Sequence, residues 1–126
     1  MATIENVHLS ITQSASAADQ SVISYSYELH PDEQDAAERR EFTVTAALWG
    51  EDALDDDVLE TDLDQHTVRL ADADPGAPVP VKRAFEVKTK LLDEDLFGDD
   101  EVFLIVEALS GHERVSARSN TVVGDF

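Results

Sequence analysis

The sequence predicts an all-β domain built as an antiparallel sandwich. Apolar and polar residues alternate with a period of two in one run after another, as half-buried strands do. Turn-forming residues such as Pro31-Asp32 and Asp74-Pro75-Gly76 separate the runs at fairly regular intervals. One run, Val102 to Leu109, is apolar on both faces, which suits a central, covered strand. At 126 residues with a hydrophobic fraction of 42%, residues 1–126 make one domain with one core.

Val7, Leu9 and Ile11 define the first strand. Ile4 is out of phase with them, which predicts a bulge near Glu5-Asn6. Gln13 to Gln20 is small, polar and read as a loop. Ile23, Tyr25, Tyr27 and Leu29 give the cleanest alternation. Pro31 to Arg40 breaks the β pattern; it is read as a loop with one helical turn, in which Asp35 and Arg39 have the spacing of a pair. Phe42, Val44, Ala46 and Leu48 form the third strand, with Trp49 at its end, where it caps the core or offers a contact. Gln65 to Ala71 is a weaker strand, and Asp74 to Pro80 a turn region. Val81 to Leu92 follows, then Val102 to Leu109, the turn Ser110 to Glu113, and a last strand from Val115 to Val123. Ile23, Tyr25, Tyr27, Phe42, Val44, Leu48, Phe85, Val87, Phe103 and Ile105 are expected in one core.

About seven strands with turns between them resemble immunoglobulin-like and fibronectin type III-like domains, and more loosely the calcium-binding C2 sandwiches. The segment Arg118-Ser119-Asn120-Thr121-Val122 is similar to the last strand of fibronectin type III-like modules. The Cys…Trp…Cys spacing of antibody domains is absent, because the chain has no cysteine. The resemblance implies an immunoglobulin-like antiparallel sandwich.

Two acidic stretches share a layout. Leu48-Trp49-Gly50 leads into Glu51-Asp52, a short break and Asp55-Asp56-Asp57. Leu91-Leu92 leads into Asp93-Glu94-Asp95, a break containing Gly98, and Asp99-Asp100-Glu101. The first leaves the third predicted strand and the second leaves the fifth, so strand parity places both at one end of an up-and-down sandwich. Calcium takes roughly 6–8 oxygen ligands from flexible loops, which short Asp side chains supply. Glu51, Asp52, Asp55, Asp56, Asp57, Asp93, Asp95, Asp99, Asp100 and Glu101 are the candidate Ca2+ ligands, with Asp52, Asp56, Asp93, Asp95 and Asp99 foremost. The resemblance to C2 sandwiches implies the same arrangement. An EF-hand is excluded: Asp93, Asp95 and Gly98 fit its spacing, but Phe97 and Leu104 stand where acids are needed. The competing reading is a pair of solvated acidic loops, because charge runs usually face water.

Nine basic against 28 acidic residues give a net charge of −19. That balance excludes nucleic acid and anionic membranes as partners and favours cations or basic proteins. It also suits a salt-adapted (halophilic) protein, since the screening length falls to about 3 Å at molar salt. The start of the chain lacks a basic-then-apolar signal pattern, so the default expectation is cytoplasmic. His8, His30, His66 and His112 form no His-Glu-x-x-His motif and are read as surface residues. There is no Gly-x-Ser-x-Gly elbow and no phosphate-cradling glycine loop, and no enzyme is expected. The sequence therefore reads as a non-catalytic binding or structural module with a shared calcium end, whose partner is another protein or a second copy. The alternative is a cation-independent, salt-adapted acidic interaction module.

Overall fold

The computed structural model describes residues 2–13, 19–38, 40–50, 57–70, 77–89, 100–111 and 113–124. The elements in chain order are β1 (Thr3–Gln13), β2 (Gln20–His30), α1 (Glu33–Ala37), β3 (Glu41–Gly50), β4 (Asp57–Arg69), β5 (Val79–Lys88), β6 (Asp100–Leu109), β7 (Arg114–Arg118) and β8 (Val122–Gly124). They build two antiparallel sheets. One has the order β1-β2-β5; the other has the order β4-β3-β6-β7, with β8 also paired to β6. The all-β expectation holds, with eight strands among the described residues because the last predicted strand is divided into β7 and β8.

Alternation decides which side chains face inward. Along β2, Ile23, Tyr25, Tyr27 and Leu29 are buried. Along β3, Phe42, Val44, Ala46 and Leu48 are wholly buried against them. Each large apolar side chain removed from water in this way contributes about 1.5–3 kcal/mol. Phe85 and Val87 of β5 pack at the margin of this core. In β6 the inward set is Val102, Leu104, Val106 and Ala108, all fully buried. Phe103 and Ile105 were expected in the same core, but β6 pairing turns them to the other face. Phe103 is cross-strand from Trp49 and Ile105 from Ala47. Phe103 is nevertheless buried, under the stacked Trp49 ring at 6.3 Å and the Arg118 guanidinium 3.6 Å from its ring centre. Trp49 thus covers Phe103 on the outer face and does not cap the core.

The expected bulge in β1 is present: the register with β2 shifts between Glu5 and His8, and Asn6 has a φ of 55°. Asn tolerates that left-handed conformation better than most residues. The division between β7 and β8 also has a local cause. Ser119 exchanges two bonds with Leu104, its Oγ accepting from Leu104 N at 2.8 Å and its own N donating to Leu104 O at 2.9 Å. Asn120 turns to the other sheet, where its Oδ1 accepts from Leu9 N at 2.7 Å and its Nδ2 donates to Leu9 O at 3.0 Å. One side chain therefore satisfies the β1 backbone as a strand would, closing that flank of the two sheets.

In α1 the Asp32 carboxylate accepts from Asp35 N at 2.7 Å, and the Asp35 carboxylate accepts from Asp32 N at 3.2 Å. This reciprocal cap starts the helix. The i,i+4 spacing predicts an Asp35–Arg39 pair; Arg39 lies outside the described residues, and Asp35 pairs with Arg40, 2.7 Å away. The helix ends at Ala37, and the chain beyond it bends Arg40 back over Asp35.

Candidate functional site

Gly50, the last residue of β3, lies between Asp57 of β4 and Val102 of β6. The strand ends that receive the two acidic stretches are therefore neighbours in one sheet. Asp100 and Glu101 begin β6, with Glu101 exposed and paired across the ladder with Val123. Asp57 begins β4. Glu51, Asp52, Asp55, Asp56, Asp93, Asp95 and Asp99 lie outside the described residues.

On the flank opposite Asn120, polar side chains bridge the edge strands β4 and β5 and reach into the core. The Asp64 carboxylate accepts from Arg83 Nε at 2.8 Å and Arg83 Nη2 at 2.9 Å, and from the Tyr25 hydroxyl at 2.6 Å. Arg83 donation, aided by Tyr25, lowers the Asp64 pKa to about 2. The Tyr27 hydroxyl lies 2.5 Å from His66 Nε2, while His66 Nδ1 faces Asp64 Oδ2 at 3.6 Å. With the carboxylate on the Nδ1 side, we assign the proton to Nδ1 and donation from Tyr27 to Nε2. Burial, with the Arg83 charge beside it, pushes the His66 pKa down. Burial also raises both tyrosines, so neither ionises near neutrality.

His66 was expected at the surface. Its side chain is only 10% exposed, because β4 is long enough to carry it inward opposite Tyr25 and Tyr27. A Tyr-His-Asp line is the geometry of a proton relay. Here Tyr27 is 2% exposed and its hydroxyl is spent on His66, so no substrate atom can reach it. The group acts as a polar tie between sheets.

A second carboxylate group lies at the other end of the strands. One oxygen each of Asp32, Asp35 and Glu113 falls within 4.8 Å of the others, the geometry that could hold a cation. Sequence spacing gave no hint of it, since Glu113 is distant in the chain. Asp35 is fully buried and already paired with Arg40, and Glu113 Oε2 accepts from Ala2 N at 3.0 Å. Burial, with the Asp35 carboxylate beside it, raises the Glu113 pKa. Arg40, paired with Asp35, offsets part of the negative charge that a cation would otherwise offset.

Among the described residues, no helix is long and apolar enough to cross a membrane. Comparison with protein-family models, with curated proteins and with solved structures found no match in any of the three.

Proposed function

We propose that this chain is a non-catalytic, immunoglobulin-like interaction module whose acidic end takes calcium. The sheet orders β1-β2-β5 and β4-β3-β6-β7, with β8 also on β6, support the immunoglobulin-like reading, since a three-stranded and a five-stranded sheet share one core. The position of Gly50 between Asp57 and Val102 carries the cation reading. Two stretches rich in Asp leave and enter the sheet at adjoining strand ends, and their charges repel unless a cation lies between them. The polar tie around Asp64 supports the non-catalytic reading, because the Asp64 carboxylate is held by Arg83 and Tyr25 and the Tyr27 hydroxyl by His66 Nε2.

Calcium bound only to the folded state raises its stability by RT ln(1 + [Ca]/Kd), about 2.7 kcal/mol at a hundredfold excess over Kd. Thermal melting in calcium, magnesium and EDTA tests the reading. A calcium-specific rise in Tm that Asp56→Asn with Asp95→Asn abolishes is the expected result. An unchanged Tm in millimolar calcium favours the alternative, an acidic module adapted to salt, and removes the cation site.

A further inference from the structure

The order β1-β2-β5 makes β1 and β5 the two edges of the smaller sheet. One bond fixes which backbone groups each edge presents. Thr89 N donates to Asp19 O at 2.9 Å, and this pair continues the β2–β5 register. In an antiparallel ladder every second pair is hydrogen-bonded. On β5 the residues bonded to β2 are therefore Val81, Arg83, Phe85 and Val87. The N–H and C=O groups of Lys82, Ala84, Glu86 and Lys88 turn the other way, toward the outer edge. β1 checks this parity. There the same alternation turns Leu9 outward, and Leu9 N and O are the groups that Asn120 takes. Among the described residues, no strand flanks β5 on its outer side. An unflanked edge is a template for strand addition.

We propose that β5 pairs antiparallel with β5 of a second copy across a two-fold axis at Ala84, which joins the two smaller sheets edge to edge. Charge sets the position of the axis. With the axis at Ala84, Lys82 faces Glu86 of the second copy, and the symmetry repeats the pair. An axis at Lys82 sets lysine against lysine, and one at Glu86 sets glutamate against glutamate. An axis at Phe85 sets Lys82 against Lys88, and one at Arg83 makes no charge pair. Like charges directly opposite each other destabilise a sheet, so one register stands out. Lysine on an edge normally blocks pairing, and the opposed Glu86 removes that block in this register alone. The same axis sets Val81 against Val87 and Arg83 against Phe85. Val81, Phe85 and Val87 are only partly buried at the core margin, so the second copy completes their burial. Pro80, which has no N–H to give, falls opposite Lys88 at the ends of the ladder. β5 carries Lys82, Arg83 and Lys88 against Glu86, so this edge repels a second copy less than the rest of a chain of charge −19 does.

Sedimentation velocity over a concentration series tests this with the full chain. At about 0.15 M sodium chloride the screening length is about 8 Å, which damps the distant charges and spares a contact pair. Wild type is expected to form a dimer. Ala84→Pro removes an N–H that β2 does not use, and is expected to raise the dimer Kd by about tenfold or more. Lys82→Glu, at an exposed side chain where folding is not at risk, is expected to raise it by about threefold or more. Lys82→Glu with Glu86→Lys reverses the pair and is expected to return the Kd to within about twofold of wild type. Ser116→Arg, on β7 of the other sheet, is the control and is expected to leave the dimer unchanged. EDTA is also expected to leave it unchanged, so a failure of the calcium reading and a failure of this one are distinguishable. A wild type that stays monomeric, a dimer that survives Ala84→Pro, or a reversed pair no tighter than Lys82→Glu alone overturns the proposal.

Discussion

Asp64 gathers three inter-sheet hydrogen bonds, one from Tyr25 and two from Arg83. Asp64→Ala leaves the Arg83 charge and the Tyr25 hydroxyl without their partner, and a loss of about 3 kcal/mol is expected in urea unfolding. Its folded pKa of about 2 lies below the ordinary 3.8 of an Asp side chain, so its stabilisation is present above that ordinary value and lost as pH falls toward 2. His66 is also depressed, with Asp64, Arg83, Tyr25 and Tyr27 around it. The folded state binds its proton less readily than the unfolded chain does. Stability is therefore expected to fall as pH drops below about 6.5, and His66→Gln should flatten that slope in melts from neutral to mildly acidic pH. Glu113 has the opposite sign. Its raised pKa, set against Asp35, Asp32 and Arg40, gives stability that is complete below the ordinary Glu value of 4.5 and lost as pH rises through the folded value. Glu113→Gln keeps a donor toward Asp35, so it should stabilise the protein at neutral pH and remove that dependence. None of these three roles was readable in the sequence. Asp64 is one acid among 28, and its meaning depends on Arg83, a residue on another strand and in the other sheet.

At the level of elements, alternation was a good guide where one face meets the core and the other meets water. β2 and β3 follow it residue by residue. It was blind in β6, where both faces are apolar and period alone could not separate Leu104 from Phe103. It also missed the first half of β4. Asp57 to Asp64 has poor strand character, and pairing with β3 holds it in the sheet. The Asn120 clasp on β1 was equally hidden, because it joins residues at opposite ends of the chain. Asn120→Ala removes two bonds to the Leu9 backbone, and a loss of about 1–3 kcal/mol is expected. Hydrogen exchange at the Leu9 amide should accelerate more than at Tyr25, which lies next to it in the ladder.

For the whole molecule the dominant quantity is the net charge of −19. Self-repulsion should lower the Tm at low ionic strength, and added sodium chloride should raise it without any divalent ion. Strand parity predicts a common end for the two acidic stretches; most of their residues lie outside the described ones, and the pairing at Gly50 joins strand ends that frame them. Ligand identity was not readable, since it depends on loop geometry and not on composition. The most direct measurement is a calcium titration followed by backbone amide NMR at saturating salt. The shared-site account predicts that the amides of Gly50, Asp57 and Val102 move together with one Kd, while Leu9 and Val44 stay in place. Shifts scattered over the acidic surface with no common Kd, or no shifts at all, would contradict it.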